Sequence, residues 1–320
     1  MNEFSGKIAV VTGGGTGIGR ELCRALSREG CCVATCDVVE ETMAETKQLC
    51  EQASPNGTRF TTFQCDVADE SQVNQFRDHV CDAFQTDCIH LLINNAGIGG
   101  GRSFVAGDRK EWERTFNVCW FGVYYGCRAF MPLLVAADSA RLVNVSSVNG
   151  FWASLGPDMP HSAYSSAKFA VKGFTEAMIS DLRATAPHVK CSVVMPGHIG
   201  TDIAINTGRV LGRPSALELT DEAAEAARNV LLERGTQVED FTPDQIRGWL
   251  HQRDMQFRER APTSADEAAE IILDGIRNDR WRILVGEDAH AMDADIRNDP
   301  ENAYDKMFME TLHQDFDESA

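Results

Sequence analysis

Tyr164 and Lys168 stand four positions apart in the segment AYSSAK. On a helix that spacing is about one turn, so a phenol and an ammonium project from one face. A neighbouring cation favours phenolate and draws a group with a reference pKa of ~10 toward neutrality. A tyrosine tuned in this way takes a proton from an alcohol or returns one to a ketone. Far upstream, TGGGTGIG at 12–19 carries Gly13, Gly17 and Gly19 in the spacing G-x-x-x-G-x-G. Glycines between a strand and a helix let the backbone turn tightly against a pyrophosphate, whose charge a helix amino terminus favours. Asp37 follows about twenty residues on, placed to accept hydrogen bonds from adenosine ribose hydroxyls and to repel a 2′-phosphate. Ser146 and Ser147 close an apolar run. A hydroxyl there steadies alkoxide character on a substrate oxygen. Strand alternation lets only one of the two face it. Phenol, ammonium and dinucleotide turn together describe a hydride-transfer centre.

These residues need a scaffold, and the hydropathy pattern supplies one. Short β-branched runs at 7–12, 31–37, 59–65, 88–94, 141–147, 190–195 and 281–286 alternate with longer amphipathic segments. Helices are expected over 17–29, after strand two through Cys50, and over 69–84, 108–136, 162–186 and 264–278. Such alternation predicts an α/β fold: a doubly wound parallel sheet of about seven strands with helices on both faces. Between 202 and 262 the chain turns helical, charged and poor in glycine, with helix starts at Thr220-Asp221 and Thr242-Pro243-Asp244. This insertion before the last strand lies beyond the carboxyl ends of the strands, where ligands bind, and is expected to be a substrate lid. From 287 to 320 the chain has eleven acidic and two basic residues. A docked helix with a solvated acidic end is expected there, with Tyr304, Met307, Phe308 and Leu312 as its apolar stripe.

The motifs occur in a fixed order, and in that order the chain resembles the short-chain dehydrogenase/reductases of the single Rossmann-domain type. The order runs TGGGTGIG, Asp66 in CDV, NNAG at 94–97, Asn117 in FNV, Ser147 in NVSSVNG, Tyr164-x-x-x-Lys168 and PGHIGT at 196–201. It covers roughly the first two hundred residues. The resemblance implies one Rossmann-type domain over 1–320, and it assigns Asn117, Ser147, Tyr164 and Lys168 to catalysis. Its S-x-x-G pattern selects Ser147, with Gly150 as the glycine. Lys168 would lower the tyrosine pKa and hold the nicotinamide ribose, and Asn117 would anchor a water leading toward solvent. For the cofactor the resemblance implies Gly13, Thr16, Gly17, Ile18, Gly19, Asp37, Asp66 and Val67, with Asp66 at the adenine. It adds Asn94, Ala96 and Gly97, the Tyr164–Lys168 pair, and Pro196, Gly197, Ile199 and Thr201 near the nicotinamide carboxamide. NADP preference goes with a basic residue after the strand-two acid or within the glycine turn. Val38 and Thr16 stand there, so NAD is expected.

One departure concerns the pocket. Ser147 and Tyr164 are seventeen positions apart, a few more than is usual in the family, and the surplus falls in the loop 150–163. Trp152, Leu155, Met159 and His161 are candidate pocket residues. Neither His161 nor His198 has the carboxylate or cysteine spacing that would complete a metal site.

Bulk properties narrow the partners. A chain of 320 residues with net charge −18 is ill suited to nucleic acid or an anionic membrane surface. Eleven cysteines show no C-x-x-C or Cys/His metal spacing; Cys31-Cys32 is only an adjacent pair. Cys23, Cys32, Cys36, Cys65 and Cys191 lie in apolar stretches, as reduced thiols of a cytoplasmic protein would. The amino terminus lacks the basic flank and apolar run of an export signal. No run reaches the ~18 apolar residues that span a bilayer. The expected activity is NAD-dependent interconversion of a secondary alcohol and a ketone on a bulky, apolar or aromatic small molecule. A 3-oxoacyl-(acyl-carrier-protein) reductase is the second enzyme reading, disfavoured because an acidic carrier needs a basic docking patch. A non-catalytic NAD(H)-binding regulator is a third, and it would not need the Ser, Tyr, Lys and Asn set. Family members assemble as homo-dimers or homo-tetramers through the helices carrying Asn117 and Tyr164, for which Phe169, Val171, Phe174 and Met178 are suited.

Overall fold

Strands buried on both faces read as continuous apolar runs, and the chain uses them to build a parallel sheet. In the computed structural model, which describes residues 3–156, 159–233 and 236–305, seven strands form one sheet. They are β1 (Ile8–Thr12), β2 (Cys32–Asp37), β3 (Phe60–Gln64), β4 (Leu91–Asn94), β5 (Ala140–Val145), β6 (Val189–Pro196) and, after the insertion, β9 (Arg282–Val285). The order is β3-β2-β1-β4-β5-β6-β9, with every pairing parallel. Winding reverses between β1 and β4. A crevice opens there beyond the strand ends, where doubly wound sheets bind ligands.

Two cores sandwich the sheet. On one face Phe76, Phe130, Leu134 and Val171 pack from α3 (Glu70–Phe84), α5 (Gly122–Val135) and α6 (Ser162–Thr185). On the other, Leu22, Leu26, Cys50, Ile272 and Ile276 pack from α1 (Gly17–Arg28), α2 (Glu40–Ala53) and α10 (Ala265–Arg277). Asp69 caps α3, and Ser264 forms a capping box on α10, as the expected starts required. The helix expected over 108–136 is continuous in direction but not in winding. Between α4 (Arg109–Phe116) and α5 lies a π-helical turn, Asn117–Phe121. By length and composition the rod Arg109–Val135 reaches what a membrane-crossing helix needs, which the sequence reading did not anticipate. Half of its most apolar 18-residue stretch is buried, with Val123, Phe130 and Leu134 in the sheet core.

The insertion divides into two parts. A short helix α7 (Ile203–Val210) lies over the crevice, following β7 (Ile199–Gly200), which pairs with β8 (Thr263–Ser264). Beyond it α8 (Asp221–Glu233) and α9 (Pro243–Glu259) form a hairpin with its own small core of Ala224, Leu231, Val238 and Ile246. Both helices begin where expected. The Thr220 hydroxyl accepts from the Ala223 N–H, and Thr242 forms a capping box with Gln245.

The C-terminal segment docks as α11 (Glu287–Asn298), and Met292 and Ala303 bury Val148 and Trp152. Met307, Phe308 and Leu312 lie outside the described residues, whereas Tyr304 donates nothing to a stripe: its hydroxyl accepts from the Ala153 N–H. All eleven cysteines are free thiols, and of those expected to be buried only Cys32 is half-buried.

Candidate active site

Of the helices that end near the crevice, α1 is built to receive an anion. Thr16 makes no side-chain cap on α1, whose first turn holds no acid, features it shares with α6 and α7, but α1 alone of these follows the glycine turn. Its first N–H groups and the positive end of its dipole face the glycine turn. Gly13 has φ +71°, and a Cβ there would lie 2.7 Å from the Ala96 Cα, so the turn and the loop after β4 touch backbone to backbone. The Thr12 hydroxyl accepts from the N–H groups of Asn95 and Ala96, while Asn95 Nδ2 donates to the carbonyls of Thr12 and Gly13.

Asn94, expected at the cofactor, takes a different place. Its side chain is 2% exposed and points into the sheet interior, donating to Asn144 Oδ1 at 2.8 Å. Asn144 in turn donates to the Thr175 hydroxyl of α6 at 3.0 Å. The asparagine that clamps the glycine turn is Asn95, one residue later. The sequence reading missed this because either side chain of an Asn-Asn pair at a strand end satisfies the same pattern.

Asp37 ends β2 with Oδ2 accepting from the Gly15 N–H at 3.0 Å and Oδ1 from the Val39 N–H at 3.3 Å. Burial raises its pKa, and those backbone N–H groups oppose the rise. Beyond it an open groove of about 440 Å³ is lined by Val38, Gln64, Arg114 and Arg209 among others. Asp66 borders this end, but its carboxylate is shared between Arg114 at 2.7 Å and the Ala68 N–H at 3.0 Å. Val67 packs its side chain against Gly122. Ile18 is half-buried against the second core.

The motif from Pro196 to Thr201 folds back to the same turn. A Cβ on Gly17 would lie 3.0 Å from Thr201 Cγ2. Ile199 is buried in β7, and the Gly197 N–H donates to the Val285 carbonyl at 2.9 Å. Beneath Gly197 sits Asp288 of α11, whose Oδ2 accepts from the His198 N–H at 2.6 Å. This link to the C-terminal helix was not foreseen. Over the top, α7 bridges the crevice: Asn206 donates to the Thr16 hydroxyl at 2.8 Å, and the Thr207 hydroxyl accepts from the Gly99 N–H at 2.7 Å. Arg209 adds an ion pair to Glu41 at 3.4 Å.

Ser147, Tyr164 and Lys168 converge below this cover. β5 ends at Val145, so strand alternation does not govern the two serines that follow. Ser146 turns inward and donates to the Lys168 carbonyl at 2.8 Å. The Ser147 hydroxyl accepts from the Asn149 N–H at 3.1 Å and lies close enough to the Tyr164 phenol to act on its pKa. Gly150 permits this packing, because a Cβ would lie 2.2 Å from Ser146 Oγ and 2.9 Å from the Lys168 carbonyl. Lys168 Nζ donates to the Val145 carbonyl at 2.9 Å, and it lies 5.3 Å from the centre of the Tyr164 ring. Gly97 approaches the same ammonium, with its Cβ direction 3.5 Å from Nζ.

Electrostatics depart from the sequence expectation at the tyrosine. Burial raises the Tyr164 pKa, the Cys119 thiol adds to the rise, and the Ser147 hydroxyl opposes it. Burial likewise lowers the Lys168 pKa. Low-dielectric surroundings penalise both charged forms and outweigh the mutual preference that helical spacing alone suggests. Asn117 opens the π-helical turn, its carbonyl accepting from the Gly122 N–H. Two residues on, Cys119 donates its thiol to the Ile98 carbonyl at 3.2 Å.

Of the pocket candidates, Trp152 is turned away. It is 3% exposed beneath the C-terminal segment, with Nε1 donating to the Ala303 carbonyl at 2.8 Å. Leu155 and Met159 are exposed on the loop, and His161 is buried against Tyr164. His198 Nε2 meets the Phe257 carbonyl at 2.6 Å, and no group of His, Cys, Asp or Glu among the described residues is arranged to hold a metal ion.

A nucleotide-type turn, a strand-end acid and a Ser–Tyr–Lys cluster on a seven-stranded parallel sheet have clear counterparts. The short chain dehydrogenase family model matches residues 7–210. A Mycobacterium tuberculosis protein named as an oxidoreductase, SadH, is 32% identical over 293 residues, which is 92% of this chain and 91% of that one. Epidermal retinol dehydrogenase 2 of Mus musculus is 32% identical over 200 residues, 62% of each chain. A short chain dehydrogenase/reductase from Burkholderia phymatum, solved in complex with NAD, superposes with a TM-score of 0.72 at 30% identity, covering 94% of this chain and 95% of that one. Family match, long relatives and shared fold agree: this chain belongs to the short-chain dehydrogenase/reductase family of oxidoreductases.

Proposed function

We propose that the protein is an NAD-dependent oxidoreductase that interconverts a secondary alcohol and a ketone. The observation that carries this is the placing of Ser147, Tyr164 and Lys168 together, with the Lys168 ammonium 5.3 Å from the centre of the phenol ring, in the crevice over the α1 amino terminus. The glycine turn and the N–H groups of α1 would hold the pyrophosphate, Asp37 the adenosine ribose, and Thr201 with Pro196 and Gly197 the nicotinamide end. The fit is supported by the α1 amino terminus, which has no side-chain cap and no acid in its first turn, directly after the glycine turn. NAD rather than NADP follows from the half-buried Asp37 carboxylate. The two cations lining the groove beyond it, Arg114 and Arg209, are paired with Asp66 and Glu41. When bound, the dinucleotide supplies the hydride acceptor or donor.

The chain's own residues handle the proton. Ser147 donates a hydrogen bond to the substrate oxygen and steadies charge as the oxygen becomes alkoxide-like. Tyr164 gives its phenolic proton to that oxygen in ketone reduction and accepts it in alcohol oxidation. Lys168, held by the Val145 carbonyl, places a cation behind the phenol and favours phenolate when the proton has left. Asn117, at the π-helical turn, is assigned to the proton path toward solvent. Exposed Phe104, Val105, Leu155 and Met159 support an apolar, bulky small-molecule substrate. The free thiols suit a reducing compartment such as the cytoplasm. Exposed Phe169 on α6, and the half-buried Trp120 edge to face with Phe174 at 5.5 Å, support homo-oligomer assembly through the helices carrying Asn117 and Tyr164.

The test is NADH formation with NAD, and in parallel NADP, over a panel of bulky secondary alcohols. Turnover with NAD, lowered at least about 10³-fold by Tyr164→Phe with NADH binding retained, is the expected result. Tyr164→Phe at wild-type rate sinks the mechanism, and preference for NADP sinks the reading of Asp37.

A further inference from the structure

His161, on the loop bordering the pocket, takes no part in the proton transfer proposed above. It stands immediately before α6, and its neighbours fix its place. The N–H groups of Ser162 and Ala163 donate to the carbonyls of Arg102 and Gly101, and Trp112 Nε1 donates to the Ser162 hydroxyl at 2.9 Å. The imidazole lies against the catalytic phenol, with ring centres 4.7 Å apart and planes inclined by 34°. Only 7% of the residue is exposed. Burial, with the nearby charge of Arg102, lowers its pKa to about 4. At neutral pH the ring is therefore uncharged, with one nitrogen a donor and the other an acceptor.

Its Nδ1 is buried and has no hydrogen-bond partner among the described residues. Orphaned buried polar atoms are disfavoured and rare. A phenylalanine would make the same ring contact without leaving a nitrogen unpaired. Positions where a chain breaks such a rule without local compensation are where function is expected. The ring contact thus does not explain a histidine, whereas a ligand that pairs with the imidazole does.

We propose that His161 determines substrate specificity, its imidazole hydrogen-bonding a second oxygen carried next to the carbon whose oxygen Ser147 and Tyr164 hold. The inference rests on the alcohol–ketone reading of the same cleft. The imidazole and phenol ring centres lie 4.7 Å apart, a separation that favours substrate oxygens on neighbouring carbons. The favoured class is therefore the vicinal diols and the α-hydroxy ketones they give, over alcohols with one oxygen.

The experiment compares kcat/KM, with NAD, for cyclohexanol against trans-cyclohexane-1,2-diol and for 1-phenylethanol against 1-phenylethane-1,2-diol. Wild type is expected to favour each diol by about tenfold, the worth of one hydrogen bond to a buried partner. His161→Phe should bring that ratio close to one, and His161→Gln, which keeps a hydrogen-bonding group, should restore part of it. A ratio unchanged in His161→Phe overturns the proposal, as does an equal loss on both members of each pair. Should the variant not fold, judged by NADH binding, the wild-type ratio alone decides: no diol preference overturns the proposal. Oxidation of the one-oxygen alcohols without diol preference fails this inference and leaves the broader function standing. Absence of any NAD-dependent oxidation fails both.

Discussion

At Tyr164 burial and a nearby thiol hold the proton on, and the Ser147 hydroxyl offsets only part of the rise. The phenol is therefore protonated at neutral pH, the form that donates to a ketone oxygen. Alcohol oxidation needs the phenolate, so its kcat/KM should climb about tenfold per pH unit between about pH 6 and 9. Ketone reduction should stay flat or fall over that range. Replacing Lys168 by Met removes the cation behind the ring and should move the oxidation limb to higher pH; a profile that does not move means the lysine acts only as a tether. The serines separate cleanly. Ser147→Ala should lower kcat by about 10²–10³-fold. Ser146→Ala, which loses one hydrogen bond to the Lys168 carbonyl, should cost about 1 kcal/mol in urea unfolding with less than a tenfold change in rate. Residue types and spacing made the cluster legible in the sequence. The direction of the tyrosine shift was not legible, because burial is a property of the packed cleft rather than of a four-residue interval.

Local signals placed most elements. Ser264 and Thr242 cap helices at the positions where capping chemistry predicts a start, because a capping box is a contact within four residues. The parallel sheet followed from runs of β-branched residues, and its winding reversal brings the glycine turn beside the loop after β4. Less visible were the elements defined by contacts distant in sequence. The π-helical turn at Asn117 leaves no mark on periodicity, and the cover formed by α7 depends on Asn206 and Thr207 reaching Thr16 and Gly99. The short helical turn at Val148–Gly150 is a tight joint of the site. Gly150→Ala should cost about 1–3 kcal/mol, since the added carbon overlaps Ser146 Oγ and the Lys168 carbonyl. It should also lower kcat by displacing Ser147. Full stability in urea unfolding would show that the joint relaxes freely.

Over the whole molecule, the sequence separated a motif-bearing first two-thirds from a loosely matched remainder, and the structure ties the two together. Trp152, expected at the pocket, is held instead by Ala303, 151 residues away, and Ala153 by Tyr304. No pattern in the loop 150–163 reveals a partner so far along the chain. Truncation after Asn298 should therefore red-shift Trp152 emission and cost about 1–3 kcal/mol, while leaving the far edge of the sheet intact. Emission identical to that of the full chain would place the indole's burial elsewhere. The Asp288 carboxylate beneath the Pro196–Gly197 turn carries the same dependence into the crevice. A ribosome releases the glycine turn, Asp37 and the Ser–Tyr–Lys cluster well before α11. A nascent chain thus displays these residues while the Pro196–Gly197 turn still lacks its support. Among the described residues α11 is the last helix to be made, so the Asp288 contact beneath this turn forms only once that helix has been translated and docked.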